Sequence, residues 1–401
     1  MFPEPPPRRR KSPGSRGARR VRRVRRSHIP WNRWTSPTRS ERVTPGGKAR
    51  PGLECTEASY GNARPAAGKG SPRRQSRAPI PRCGPVRAPR DPLHELTAIP
   101  DFRPELHAAG GDGLALSFDV QSLLAAARAE TGLDDFGDPA FMDGLTVLAS
   151  ALSETSRLNE TGKGAWHEML RGYLLERLRV EDWFRRHPEI EDEKIREPIV
   201  VTGLPRTGTT ALTKLLAQDP AARSLRSWES ARPTPPPETA HQHDDPRIAL
   251  ADATLAGMKA AAPDLAKMHD DTGASPTESQ DLLGMFFRTL HFDGMADLPD
   301  YLSWWLDCDM EPAYHYHARV LRLLQWRCPP HRWNLKNPPD IFFLDALTRV
   351  HPDARIVWTH RDPARVLASV CSLVATVRSI FSDDVPRASL GEAQLANWSE
   401  G

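Results

Sequence analysis

The chain has 401 residues, enough for about two or three average domains, and its 55 Lys+Arg and 51 Asp+Glu are unevenly spread. Residues 1–90 hold 24 basic side chains (21 of them arginine) and four acidic ones, whereas residues 91–401 hold 31 basic and 47 acidic, so the overall +4 averages pieces at +20 and −16. No stretch of 18 apolar residues and no apolar run behind the basic N-terminus are visible, which argues against a membrane span and a secretory leader. Five cysteines (Cys55, Cys83, Cys308, Cys328, Cys371) without a C-x-x-C pair or a zinc spacing fit a reducing, cytoplasmic setting.

In chain order, residues 1–90 carry 15 prolines and the runs Arg8-Arg9-Arg10 and Arg19-Arg20-Val21-Arg22-Arg23-Val24-Arg25-Arg26, with almost no apolar periodicity. Such a segment buries too little surface to offset the entropy of ordering it, so a disordered basic extension is expected. A nucleic-acid- or lipid-binding arm is the alternative. Residues 91–113 read as a linker. Helical spacing then sets in over 114–196: Val120, Leu123, Leu124 and Ala127; Leu145, Leu148, Ala149 and Leu152; Leu170, Leu174, Leu175 and Leu178. The segment reads as a helical lead-in to a domain spanning 197–401.

That domain opens on Glu197-Pro198-Ile199-Val200-Val201-Thr202-Gly203, where consecutive β-branched residues before a glycine predict a buried parallel strand. Gly208–Gln218 reads as a helix with Leu212, Leu215 and Leu216 on its apolar face. Helices are also expected over about Thr277–His291 and Ala313–Trp326. Further strands are predicted at Arg332–Lys336 and Ala354–His360, the latter followed by a helix capped by Asp362 with Pro363 in its first turn. Alternating strands and helices predict an α/β fold: a P-loop-like three-layer arrangement, its central, mainly parallel sheet flanked by helices. Its ligands are expected at the carboxyl ends of the strands.

Gly203-Leu204-Pro205-Arg206-Thr207-Gly208-Thr209-Thr210, between strand and helix, has the layout of a phosphate-binding loop. Backbone N–H groups converge at a helix N-terminus, and the helix dipole favours an anion there. The triphosphate version, G-x-x-x-x-G-K-[ST], has a lysine where this chain has Thr209; the basic residue sits instead at Arg206. No acidic strand end is placed to hold magnesium, so the loop suits an anionic group better than a triphosphate–metal complex.

Pro205-Arg206-Thr207-Gly208-Thr209-Thr210 resembles the 5′-phosphosulfate loop of sulfotransferases, which use 3′-phosphoadenosine 5′-phosphosulfate (PAPS). In particular it resembles their bacterial P-R-[ST]-G-T-T branch, in which arginine replaces the lysine of the eukaryotic cytosolic enzymes. A second motif agrees. Arg361, after the third expected strand, and Ser369, eight residues on, resemble the family's 3′-phosphate site. Ser275–Val377, with Pro312–His317 and Thr359–Arg365, is also similar to this branch; the resemblance spans about 115–401 and none of 1–90. It implies PAPS as co-substrate without a metal, held by Arg206, Thr207, Gly208, Thr209, Thr210, Arg361 and Ser369, and a small-molecule acceptor with a hydroxyl or amine. Relatives continue well beyond Ser369 with an R-K-G-x-x-G-like segment. Its absence here implies either a chain incomplete at the C-terminus or an incomplete cofactor site.

Sulfuryl transfer needs positioning and charge stabilisation more than covalent chemistry. Arg206 is the candidate cation for the leaving phosphate, aided by Thr209 and Thr210. Lys336, in Leu335-Lys336-Asn337-Pro338, resembles the family's sulfuryl-contacting lysine, although Asn337 replaces the usual hydroxyl residue and no histidine follows. Glu278, read as opening the 277–291 helix, resembles the acidic residue this branch places there and is the candidate general base; first-turn dipole stabilisation is the alternative. His315 and His317 lie on one helix, so at most one can face a pocket. His241-Gln242-His243-Asp244-Asp245 reads as a solvated loop rather than a metal site. Tyr301, Trp304, Trp305, Phe286, Phe287 and Phe292 suit either an acceptor pocket or a core. The rival reading is a non-catalytic nucleotide- or nucleic-acid-binding protein acting through its basic arm; the absent loop lysine disfavours a kinase.

Overall fold

The computed structural model describes residues 117–268 and 270–400. The basic extension, the linker and the start of the lead-in lie outside the described residues. The lead-in consists of helices α1 (Val120–Thr131), α2 (Phe141–Glu154) and α3 (Glu160–Arg186). The α1 N-terminus is capped by Asp119, whose carboxylate accepts from the Ser122 N–H at 2.8 Å. Helix α3 buries Leu170, Leu174 and Leu178 together with a charged side chain, Arg177. The Arg177 guanidinium donates to the carbonyls of Phe136, Asp138 and Met285 at 2.8–3.1 Å and lies 4.1 Å from the Phe141 and Tyr316 ring centroids. Carbonyls and ring faces thus replace the water this cation gives up, and the lead-in is tied to the domain that follows.

The domain runs β1 (Ile199–Gly203), α4 (Thr209–Leu216), β2 (Ala222–Ser224), α5 (Ser227–Ala231), α6 (Arg247–Ala261), α7 (Pro263–Met268), α8 (Gln280–Gly284), α9 (His291–Met295), α10 (Pro299–Asp307), α11 (Glu311–Gln325), β3 (Arg332–Lys336), α12 (Leu344–Val350), β4 (Arg355–Thr359), α13 (Pro363–Phe381) and α14 (Arg387–Glu400). The strands form one all-parallel sheet in the order β2-β3-β1-β4. Gly203 pairs with Thr359, so β1 and β4 end level, whereas β3 ends at Lys336 opposite Val201, two residues earlier; the loops that follow all three strands lie on one edge. The fold is the expected α/β arrangement with helices flanking a parallel sheet.

Several local expectations change. The 277–291 segment is not one helix: α8 stops at Gly284, Phe287 adopts a positive φ of 56°, and the Tyr301 hydroxyl accepts from the Thr289 N–H and shares its one proton between the Phe287 and Thr289 carbonyls. A buried hydroxyl satisfying the backbone there outcompetes helical bonding. Helix α4 turns Thr209 and Thr213 inward and leaves Leu215 70 % exposed, so the Leu212/Leu215/Leu216 face does not form. Strand β2 has no β-branched residue and was not expected; Arg223 within it pairs with the buried Glu229. Helix α13 is long and apolar enough to cross a bilayer by length and composition alone, a property that core helices share. Its Arg378, however, is buried against Asp293 (3.2 Å) and bonded to Asp297 (3.0 Å), inside a protein-packed environment.

Candidate active site

At the carboxyl end of β1 the chain turns through Leu204–Thr207 into α4. Gly203 (φ 133°) passes so close to β4 that a Cβ would lie 2.5 Å from the Thr359 carbonyl oxygen, so only glycine fits. Gly208 (φ 99°) caps α4 without a side chain, which leaves the first-turn N–H groups of the helix to face the cleft. Between them Arg206 takes a left-handed backbone (φ 65°), a conformation that costs a non-glycine residue about 1–3 kcal/mol and clusters at functional positions.

Three expected donor-site residues from three elements meet here. Arg206 donates from Nε to the Ser369 hydroxyl on α13 at 3.0 Å. Arg361, two residues past β4, donates from Nη1 to the Arg206 carbonyl at 3.0 Å. The Thr207 hydroxyl donates to the Leu204 carbonyl at 2.6 Å and lies 2.5 Å from the Thr359 hydroxyl, which stitches the loop to β4. Arg206, Thr207, Gly208, Thr209, Thr210 and Arg361 line one cleft of about 560 Å³. Lys214, Met268 and Asp270 complete its wall.

Behind Thr210 lies a second cluster. Lys336, 5 % exposed at the end of β3, donates to the Thr210 hydroxyl at 3.2 Å and pairs with the Glu278 carboxylate at 3.2 Å. Glu278 precedes α8 rather than opening a long helix. The backbone beside it is held strand-fashion: Thr277 N–H donates to the Leu225 carbonyl (2.8 Å) and Ser279 N–H to the Lys336 carbonyl (2.9 Å). Burial pushes the Glu278 carboxyl up, but the Lys336 charge and hydrogen bonds from Gln280 and Lys336 outweigh it and hold the group below its ordinary value. Neighbouring Asp340 goes the other way. Burial pushes it up to about 7, against hydrogen bonds from Tyr314 (2.8 Å) and Asn337 (2.5 Å). Neither Asp340 nor Lys214 was singled out from the sequence. Asp340 follows Pro338-Pro339 with no motif of its own; Lys214 lies four residues after Thr210, on the same helical face.

Other candidates resolve as structure. His317 is buried, which pushes its imidazole down to about 3, and its ring faces His351, while His315 points outward near Glu311. His241 and Asp244 lie 3.5 Å apart on an exposed turn. Phe286, Phe287, Phe292, Tyr301 and Trp305 are core; only Trp304 is partly exposed. Among the described residues no group of three histidine, cysteine or carboxylate side chains is placed to share a metal ion.

A parallel sheet whose first strand feeds a P-R-T-G-T-T turn, with an arginine and a helical serine arriving from the neighbouring strand, defines a sulfotransferase-type site. The sequence profile of the Sulfotransferase family matches residues 198–401, and the chain belongs to this family. Among solved structures it is similar to sulfotransferase STF1 from Mycobacterium tuberculosis H37Rv (34 % identity, 70 % of this chain and 78 % of that one, TM-score 0.64). It is also similar to sulfotransferase STF9 from Mycobacterium avium (28 % identity, 72 % and 74 % coverage, TM-score 0.62). No match was found among curated proteins.

Proposed function

We propose that this sulfotransferase moves a sulfuryl group from PAPS to a hydroxyl or amine of a small-molecule acceptor. The observation that carries the reading is the meeting of Arg206, Arg361 and Ser369 beside the uncapped N-terminus of α4. That cluster suits a ligand with more than one anionic group, because two guanidiniums and a set of N–H donors already face one cleft. PAPS as co-substrate supplies the sulfuryl group and leaves as a nucleoside bisphosphate.

In this reading Arg361 and Ser369 hold the 3′-phosphate. Arg206, the Thr209 and Thr210 hydroxyls and the loop N–H groups take up the charge gathering on the 5′-phosphate as the S–O bond breaks. Arginine does this electrostatically, since its guanidinium does not deprotonate near neutral pH. Lys336, held between Thr210 and Glu278, offsets charge on the sulfuryl oxygens. Glu278 accepts the proton lost by the acceptor as its oxygen or nitrogen bonds to sulfur. The test is calorimetry with 3′,5′-adenosine bisphosphate, ATP and magnesium-ATP in parallel, beside a transfer assay with radiolabelled PAPS. Tightest binding of the bisphosphate is expected; tightest binding of magnesium-ATP refutes the reading.

A further inference from the structure

The donor cleft contains a cation that none of the sulfotransferase motifs quoted above assigns. Lys214 lines it together with Arg206, Thr210 and Arg361. It stands one turn beyond Thr210 on α4, so both fall on the cleft face of the helix. Its ammonium is not left to water. Nζ reaches across to the segment after α7, pairing with the Asp271 carboxylate at 3.0 Å and donating to the Asp270 carbonyl at 2.8 Å.

An ordinary strut would explain this pair if the 270–275 segment needed it. Other bonds already hold that segment. Lys259 on α6 donates to the Asp271 carbonyl at 3.0 Å, the Gly273 N–H donates to Asp252 at 2.7 Å, and the Gly273 carbonyl accepts from the Trp228 N–H at 3.0 Å. The segment therefore stays in place if Lys214 turns away. The pair can also be exchanged: Lys214 is 39 % and Asp271 22 % exposed, so solvent screens part of their attraction.

We propose that Lys214 is a third ligand-binding cation of this cleft, gripping an anionic group of a nucleoside bisphosphate or phosphosulfate, and that the Asp271 carboxylate keeps its place until that anion arrives. The inference rests on the donor-site reading above and adds a residue to it. Asp271 then acts as a competitor: its charge lowers the affinity that Lys214 supplies.

The test is calorimetric titration of the full chain with 3′,5′-adenosine bisphosphate, using wild type, Lys214→Met, Asp271→Asn and the double variant, with thermal midpoints as a check on folding. Lys214→Met is expected to weaken binding about five- to thirtyfold, the range for losing one partly screened charge-assisted contact. Asp271→Asn is expected to tighten it about two- to fivefold, the worth of the competing pair. The double variant should bind like Lys214→Met, since without the lysine there is nothing to release. Unchanged affinity in Lys214→Met overturns the proposal, as does weakening by Asp271→Asn, which would make the pair a strut. Wild type that binds the bisphosphate while Lys214→Met matches it leaves the donor reading standing and removes only Lys214. Wild type that does not bind overturns both.

Discussion

Arg361→Ala separates two contributions that the geometry joins. In the proposed donor site the guanidinium grips the 3′-phosphate, and the same group donates to the Arg206 carbonyl at 3.0 Å, holding a left-handed residue in place. Arg361 is exposed, so its phosphate contact belongs at the low end of a charge-assisted bond, about 1.5 kcal/mol. The carbonyl clamp adds about 1 kcal/mol for either ligand that needs the loop in shape. Removing both should weaken 3′,5′-adenosine bisphosphate by about 2.5 kcal/mol, near seventyfold, and 5′-AMP by about 1 kcal/mol, near fivefold. The preference for the bisphosphate should therefore shrink about tenfold while affinity for both ligands falls. Calorimetry with the two ligands at one ionic strength reads this directly, because exposed phosphate contacts are screened by salt. An equal loss for both ligands would mean that Arg361 acts only through the loop, and the 3′-phosphate assignment fails.

Arg206→Ala should abolish most bisphosphate affinity and any transfer, whereas Arg206→Lys should keep part of both, since a charge survives without the planar fork; equal titrations for alanine and wild type would sink the loop assignment. Glu278→Gln should cut the transfer rate about a hundredfold or more while leaving bisphosphate affinity within about twofold. In wild type the acid limb of kcat/KM for the donor, which reports the free enzyme, should lie below the ordinary glutamate value of 4.5, because Lys336 favours the ionised carboxylate; a limb near neutrality would assign the base elsewhere. Asp340, held at about 7 when folded against 3.8 in the open chain, binds a proton in the native state that the unfolded state has already lost. Its contribution to stability therefore falls as pH rises from about 4 to 7, by up to roughly 4 kcal/mol. Denaturant melts at pH 5 and 8 should show Asp340→Asn with a flatter dependence than wild type; parallel curves would contradict the burial argument.

The parts of the molecule legible in the sequence are those whose signal is local. Ile199-Val200-Val201 announces a buried strand, Gly203 and Gly208 bracket a turn that needs them, and Asp362-Pro363 opens α13, with the Asp362 carboxylate accepting from the Ala364 N–H at 3.0 Å. Tertiary partners decided the rest. The 277–291 helix breaks because Tyr301, many residues away, bonds to the backbone there. Glu278 is positioned by hydrogen bonds to the ends of β2 and β3, which no periodicity encodes. The aromatics of 286–305 have the same spacing whether they pack inward or line a pocket, and only their burial shows that they are core.

The two carboxylates near Lys336 show why residue type alone could not assign the chemistry. Glu278 and Asp340 lie close enough for the first to raise the second, yet their neighbours drive them apart. Asp340 has the value usually associated with a proton acceptor at neutral pH, but it is 4 % exposed and its Oδ1 already accepts from Tyr314 and Asn337. Its carboxyl braces the turn after β3 through Asn337, the residue that follows Lys336. Glu278 is the weaker base, but it is the more exposed of the two and touches the lysine that, in the proposed reaction, faces the sulfuryl oxygens. The partner that depresses its proton affinity is therefore the cation that negative charge on the donor would draw away. In the proposed reaction, donor binding would weaken that pairing and strengthen Glu278 as a base, so its basicity would rise when there is a sulfuryl group to transfer.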